Sequence, residues 1–433
     1  MKRINVMLTA TLLFLLLVPM VLLGCEKTDA PVKKEPVSAY KSTGQYTDLG
    51  DEKLSWEGLE ALPKKRSDMT PREARETVLA FWRYCKTALW IPDAQYDIYK
   101  EENGTNVLKR SVEQGKVYAG LPYVGNATGS LYRLMDFMDP ETGVVNVTDA
   151  GKEPLLFGGM CSSGCYWAWA RVMNSADYRW CADSVVNRGY LRVGPYIYPD
   201  SWTKFVEVGY QGTDDVCTEN GEQIMYQSYA AMQIGDGGIS LWEKNGHTNM
   251  CSVDPTVVYN EDGTINGDES WLAIIEQGGI WEEAVSKGGI PYKYERSVER
   301  KFTFKQLYNG AYLPFTFGEL IGTDPIEETE CSFSYSGETI TEKQLFDAKV
   351  TSNYNISDVY IYVYDKDGNE VYKHAVRAII PSTRTLEIHK RVGRSHTWGS
   401  WDNVSEGDSV KVEVQLGTGE RPVVYEGKLK AEN

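Results

Sequence analysis

Hydrophobic side chains recur at helical spacing in three stretches of the chain. Thr70-Pro71-Arg72-Glu73 combines a capping box with proline at the first helical position, and the apolar residues from Val78 to Leu89 share one stripe. This pattern predicts a helix over residues 70–89. Apolar positions at i, i+3, i+4 and i+7 predict a buried helix from Cys161 to Val172, and helical spacing returns from Glu222 to Met232.

Three apolar segments between these helices and residue 280 are typical of strands: Ile239–Trp242, His247–Val258 and Trp271–Gln277. The last two flank a turn-rich tip at residues 260–263, which indicates a hairpin. If the turn centres near residues 262–263, His247 lies opposite Glu276 or Gln277. Glu276 is slightly preferred, because a carboxylate best stabilises an imidazolium.

The character of the chain changes around residues 322–330. Short alternating segments follow, such as Val359–Tyr364 before an Asp367-Gly368 turn and Val410–Val414 further on. Strands at hairpin spacing over residues 326–433 predict a small all-β sandwich, most simply an immunoglobulin-like one.

The N-terminus has the pattern of a secretion signal. Lys2 and Arg3 precede an apolar run from Val6 to Leu23, and the run closes on Gly24-Cys25. Cysteine directly after Leu-Leu-Gly resembles the bacterial lipoprotein box. We therefore expect a signal peptide over residues 1–24, lipid attachment at Cys25 and a flexible tether over residues 25–55. The expected location is the bacterial cell envelope, lipid-anchored at the periplasmic or surface face of the outer membrane.

Composition narrows the possible partners. The chain carries 61 acidic and 45 basic residues, a net charge of −16, so it repels phosphate and we expect no nucleic-acid partner. A hydrophobic content of 42% is ample for a folded core. The cysteine spacings match no zinc motif, so neither a metal nor a cofactor is predicted.

Cys161 and His247 are the candidates for covalent chemistry. His247 is the only histidine before His374, and Cys161 follows Gly158-Gly159 at the start of a predicted helix. A helix N-terminus and a nearby imidazole both favour a thiolate. Cys161 would be the nucleophile, His247 the base, and Glu276 or Gln277 the group that orients the imidazole. Cys165, one helical turn further, is the rival nucleophile, and either cysteine could instead be a buried apolar residue.

Four segments resemble, in order, the NlpC-type and CHAP-type papain-like cysteine peptidases and amidases that cut bacterial cell-wall peptides. They are Gly120-Leu121-Pro122-Tyr123, Cys161-Ser162-Ser163 with Trp167-Ala168 after it, the Tyr226–Asp236 stretch with its Gly235-Asp236 pair, and Gly246-His247 with Met250 three residues on. The resemblance implies an α+β papain-like domain over residues 56–325, with a helical part carrying Cys161 packed on an antiparallel sheet carrying His247. It also implies hydrolysis of peptide or amide bonds through a thioester, in peptidoglycan stem peptides. Tyr123 and Ser162 would line the substrate or oxyanion side.

The sequence departs from that family at three places. Met160 stands where Asp or Asn is usual, Gly164 stands where a bulky residue is usual, and residues 175–216 lengthen the path from Cys161 to His247 as an insertion. Two alternatives therefore stay open. One is a papain-like binding module with a degenerate site, and the other is an adhesive or glycan-capturing surface lipoprotein that uses its aromatic residues and the C-terminal sandwich.

Overall fold

The chain folds into a mixed α+β structure, as expected. A computed structural model describes residues 56–102, 105–121, 129–150, 158–174, 190–198, 212–242, 245–277, 284–285, 291–292, 297–378, 383–389 and 395–432. All of these residues belong to one compact unit. The predicted signal peptide, Cys25, the tether, Tyr123 and most of the expected insertion lie outside the described residues.

The described helices are mostly short. In chain order they are α1 (Trp56–Glu60), α2 (Pro71–Thr87), α3 (Leu131–Met135), α4 (Val147–Ala150), α5 (Cys161–Trp169), α6 (Thr213–Ala230), α7 (Phe304–Asn309), α8 (Gly318–Ile321) and α9 (Glu342–Phe346), with a 3-10 turn at Trp401–Asn403.

Strands contain more residues than helices. In chain order they are β1 (Leu89–Pro92), β2 (Tyr96–Glu102), β3 (Thr105–Val112), β4 (Tyr118–Ala119), β5 (Val144–Val145), β6 (Leu191–Arg192), β7 (Gly237–Trp242), β8 (Asn245–Thr256), β9 (Trp271–Gln277), β10 (Ala284–Val285), β11 (Pro291–Tyr292), β12 (Ser297–Thr303), β13 (Leu313–Thr316), β14 (Cys331–Phe333), β15 (Thr339–Ile340), β16 (Lys349–Ser352), β17 (Ile356–Tyr364), β18 (Glu370–Arg377), β19 (Thr385–Glu387), β20 (Ser395–Gly399), β21 (Ser409–Leu416) and β22 (Val423–Leu429).

The main sheet has the strand order β12-β9-β8-β7-β13-β6 and is antiparallel throughout. The three strands predicted from apolar segments are confirmed as β7, β8 and β9, and β8 and β9 pair as the expected hairpin. Their register pairs Met250 with Ile275 and Cys251 with Ile274. This register is two residues from the predicted pairing of His247 with Glu276 and one residue from the alternative with Gln277, so neither is directly opposite His247. The pairing itself changes by two residues across the irregularities that follow Cys251 and Val253.

The predicted helices are present with shifted ends. The capping box of α2 is formed, since the side chains of Thr70 and Glu73 each accept from the other's backbone N–H. Helix α5 ends at Trp169, where tighter turns take over before Val172. Helix α6 begins earlier than predicted, at Thr213, but Gly221 within it has φ +75°. That kink explains why regular spacing becomes visible only from Glu222.

The C-terminal part is built from strands around its own core. One six-stranded sheet has the order β15-β22-β21-β17-β18-β20, and a three-stranded sheet has the order β14-β16-β19. The alternation predicted for β17 and β21 is confirmed: Val359, Ile361 and Val412 enter this core. Tyr360 and Tyr362 of β17 cover the opposite face of the same sheet and are also buried.

Helix α3 is tied to the C-terminal sheet by a buried ion pair. Arg133 donates to Asp358 at 2.9 Å and to the backbone oxygens of Ser357 and Ala378. Among the described residues, no helix is long and apolar enough to cross a membrane.

Candidate active site

The centre of the candidate site is a chain of three side chains on the main sheet, those of His247, Glu276 and Arg300. His247 Nε2 lies 2.5 Å from one carboxylate oxygen of Glu276, and the guanidinium of Arg300 donates to the other. Glu276 and Arg300 are buried, whereas the side chain of His247 is 20% exposed. His247 is therefore the solvent-facing end of an otherwise buried chain.

Glu276 is a carboxylate rather than a carboxylic acid. Burial alone would raise its pKa, but Arg300 and then His247 hold the pKa below its ordinary value. A charged Glu276 at Nε2 orients the imidazole ring. Nδ1 is then the ring nitrogen that Glu276 does not engage.

Cys161 stands at the first position of α5 and is buried. The hydroxyl of Ser163 accepts from the Met160 backbone N–H at 2.9 Å, which helps to close the start of the helix. Gly158 has φ +94°, a conformation that favours glycine and turns the chain into the helix. Ser162 is also buried.

Two contacts show how α5 lies along the sheet. At its C-terminal end, Trp169 Nε1 donates to the Gly235 carbonyl, and Gly235 N–H donates to the Cys251 carbonyl. Near its N-terminal end, Gly164 lies against Gln277. Cys161 is three residues further, about 4.5 Å along the axis. The Cys161 thiol therefore lies toward the end of the sheet at which β8 begins. His247 is the third residue of β8.

Helix α5 and the His247 side chain lie on different faces of the main sheet. Continuing the β8–β9 register places Asn249 opposite Glu276 and Thr248 opposite Gln277. His247 and Glu276 thus share one face as diagonal neighbours, while Gln277 projects from the face that α5 covers. An imidazole that meets the Cys161 thiol has to turn over the end of the sheet.

Tyr312 links the two sides electrostatically. Its ring packs edge-on to His247, with centroids 6.5 Å apart. Burial raises the pKa of Tyr312 well above its ordinary value, the nearby Glu276 and Cys161 raise it further, and Arg300 and a hydrogen bond with Asn249 oppose the increase. The phenol is therefore neutral, and it lies within electrostatic range of both the carboxylate and the thiol.

Gln277 has a different partner from the one the hairpin argument allowed. Its Nε2 donates to the Leu121 carbonyl at 2.9 Å, so it holds the Gly120-Leu121 segment against the end of β9. The same packing explains why residue 164 is glycine. A Cβ at residue 164 would lie 3.3 Å from Gln277 Cβ and 3.4 Å from Trp82 Cζ2, so the bulky residue usual in the family does not fit.

The other candidates from the sequence are buried. Cys165 is fully buried, and the Cys251 thiol donates to the Val253 carbonyl. Asp236 pairs with Arg75 at 2.7 Å and accepts from the Gln233 backbone, which is a structural role in the turn. Within the described ranges, no group of three or more metal-ligating residues is assembled.

Three residues of the site were missed from the sequence: Asn249, Arg300 and Tyr312. Asn249 could have been found, because it stands two residues after His247 on a strand and so shares its face. Arg300 and Tyr312 come from later strands whose neighbours depend on the sheet order, and the sequence carries no local signal for them.

Comparison with known proteins leaves the chain without an assigned family. No family model, curated protein or solved structure matches it.

Proposed function

We propose that the protein is a lipid-anchored cell-envelope hydrolase whose papain-like domain cleaves peptide or amide bonds of peptidoglycan stems. An immunoglobulin-like sandwich would follow this domain. The observation that carries the proposal is the ordered His247–Glu276–Arg300 chain, which ends in a partly exposed imidazole at the end of the sheet toward which α5 carries Cys161.

In this reaction the Cys161 thiolate attacks the amide carbonyl, and its sulfur becomes acylated. His247, protonated by the thiol, gives its proton to the leaving amine, and water then hydrolyses the thioester. Glu276 stays charged throughout and stabilises the imidazolium. The first backbone N–H groups of α5 supply donors for the oxyanion.

The test is the alkylation rate of Cys161 as a function of pH, measured by peptide mapping in the full chain. We expect a thiol pKa well below the ordinary value of about 8.5. The His247→Ala variant should raise it, and the Cys165→Ala variant should leave it unchanged. A pKa near 8.5 in wild type and His247→Ala alike would falsify the thiolate–imidazole pair.

A second candidate is a papain-like binding module without hydrolysis. It is favoured because the helix that bears Cys161 and the side chain of His247 lie on different faces of the main sheet. Helix α5 covers the Gln277 side of the sheet, whereas His247 projects from the other side, and Met160 replaces the usual polar residue before the cysteine. Wild type and Cys161→Ala would then bind muropeptides equally, and neither would cleave them. Cleavage by wild type alone selects the hydrolase.

A further inference from the structure

The His247 imidazole has a neighbour on each side of its strand. Strand β8 lies between β9 and β7, and Glu276 reaches Nε2 of His247 from β9. Tyr312 comes just before β13, the strand beyond β7, and its ring packs edge-on to the imidazole at an interplanar angle of 79°. A hydrogen bond from one side and an aromatic ring from the other therefore limit where the imidazole can turn.

Two glycines leave the space that Tyr312 and its partner Asn249 occupy. A Cβ at Gly310 would lie 2.9 Å from Tyr312 Cε2. A Cβ at Gly238 would lie 2.5 Å from Oδ1 of Asn249, the residue whose side chain shares a hydrogen bond with Tyr312. Neither glycine has a positive φ, so the backbone does not require glycine at either position. The packing of Tyr312 and Asn249 does.

Ala311 shows that this position of Tyr312 is imposed on the chain. Among the residues that the structure describes, it is the only one other than glycine with a positive φ, at +51°. Glycine is the usual residue for a left-handed position just after a helix. Here the glycine stands one residue earlier, at Gly310, where φ is −83° and the Tyr312 ring needs the space. Strain kept at a site in this way points to a functional constraint.

Hydrogen bonds fix the strained turn relative to His247. Ser240 pairs with His247 across β7 and β8, and its hydroxyl donates to the Gly310 carbonyl at 2.6 Å. The Tyr229 hydroxyl donates to the Tyr312 carbonyl at 2.8 Å. The turn that carries Tyr312 is therefore tied to the residue directly opposite the imidazole.

We infer that Tyr312 is a positioning residue, whose ring keeps the His247 imidazole against Glu276 in one orientation and one tautomer. This inference rests on the proposed function, in which His247 is the base. A carboxylate only accepts hydrogen bonds, so a neutral imidazole held against Glu276 carries its proton on Nε2 and leaves Nδ1 to act as base. Because the side chain of His247 is 20% exposed, it should turn partly into solvent once the Tyr312 ring is removed.

The test measures the tautomer of His247 by proton–nitrogen NMR correlation in the full chain with isotope-labelled histidine, at a pH at which the ring is neutral. The chain has four histidines, so the signals are assigned by their loss in His247→Gln. In wild type we expect the proton on Nε2 alone. Tyr312→Leu removes the ring and should average the two tautomers. Tyr312→Phe keeps the ring and should restore the single tautomer.

A glycine variant reaches the same contact without changing Tyr312. The new Cβ of Gly310→Ala displaces the ring, so this variant should average the tautomers as well. Gly212→Ala is the matched control, because residue 212 also has an ordinary φ of −71° and the nearest atom to its Cβ would lie at 3.5 Å. It should keep the wild-type spectrum. Since Gly310→Ala retains Tyr312, the test does not depend on whether Tyr312→Leu folds.

Cleavage of muropeptides separates this inference from the proposed function. Tyr312→Leu should lower kcat at least about tenfold, since a misplacement of about 1 Å can cost about 100-fold. It should change KM less than about twofold, because the Tyr312 ring is buried and binding of substrate is not its role. Tyr312→Phe should recover most of kcat.

Three results would overturn the positioning role. They are a mixture of tautomers in wild type, a single tautomer that persists in both Tyr312→Leu and Gly310→Ala, and averaging in Gly212→Ala as large as in Gly310→Ala. A wild type that cleaves nothing, but whose single tautomer is lost in Tyr312→Leu and Gly310→Ala, would contradict the hydrolase and still support the effect of Tyr312 on His247.

Discussion

Two buried polar clusters in this protein use the same kinds of side chain in different ways. In the cluster between α3 and the C-terminal sheet, Arg133 and Arg377 face Asp136 and Asp358, and at most 7% of any of these side chains is exposed. In the main-sheet cluster, Glu276 lies between Arg300 and a histidine whose side chain is 20% exposed. Lys373 at the edge of the first cluster is 18% exposed, but both of its arginines and both of its aspartates are buried, and we call it the closed cluster. The second, in which an imidazole meets solvent, is the open cluster.

The difference separates a structural role from a chemical one. In the closed cluster, two carboxylates balance two guanidiniums, and Arg133 also donates to two backbone carbonyls. Burial would raise the pKa of Asp136, but Arg377 and Lys373 hold it below its ordinary value. In the open cluster, the buried Arg300–Glu276 pair ends at a partly exposed imidazole. Closed networks specify how elements join, and an open network can exchange a ligand or a proton.

The largest expected effect is in the closed cluster. Asp358→Ala leaves Arg133 buried without its carboxylate, which typically costs about 3–5 kcal/mol in the free energy of unfolding. Urea unfolding of the full chain measures this loss. Asp402→Ala, at an exposed position, is the control and should change little. A loss under about 1 kcal/mol would show that Arg133 is satisfied without Asp358.

The open cluster should lose less when its acid is removed. Glu276→Gln keeps the shape of the side chain, and water that enters past His247 can solvate Arg300, so we expect a loss of about 2 kcal/mol at neutral pH. Because the folded pKa of Glu276 lies below its unfolded value, this contribution is present above about pH 4.3 and is lost as pH falls toward the folded pKa.

Urea unfolding at a series of pH values measures the difference between wild type and Glu276→Gln. The difference should shrink below about pH 4.3, where the carboxylate takes up a proton in the unfolded chain while it is still charged in the folded protein. A difference that stays constant down to pH 2, or grows as pH falls, would contradict a charged Glu276 in the folded protein.

The sequence predicted the parts of the site that depend on local patterns. The alternation around His247 and the turn at residues 260–263 were enough to predict β8, β9 and a contact between His247 and Glu276. Gly158-Gly159 before an apolar helical stripe was enough to place Cys161 at the start of a helix. In each case the residues that determine the element are close together in the chain.

What could not be predicted depends on pairing across the sheet. The irregularities after Cys251 and Val253 move the β8–β9 register by two residues, and they leave no mark in the apolar pattern. Arg300 reaches Glu276 because β12 pairs with β9. Likewise, the bond from Arg133 to Asp358 spans 225 positions, and two ordinary charged residues give no sign of being partners.

The smallest effect is expected at Glu299, a third acid that stands nearer the surface. It bridges β12 to α2 through Arg83 and Lys86, and its side chain is 19% exposed. Burial would raise its pKa, but Arg83 and Lys86 lower it to about 2. The side chain of Arg83 is 44% exposed, so solvent screens the pair and Glu299→Gln should cost only about 1 kcal/mol at neutral pH.

Comparing the pH and salt dependence of the variants at Asp358, Glu276 and Glu299 ranks these three acids by how far solvent reaches each side chain. Its stabilising effect should be full above about pH 4.3 and persist in part until the pH approaches 2, since the folded pKa is depressed. High salt should reduce the effect of Glu299→Gln measurably and that of Asp358→Ala hardly at all, because salt screens exposed charges far better than buried ones. Equal salt sensitivity in the two variants would mean that solvent reaches the closed cluster as readily as the surface.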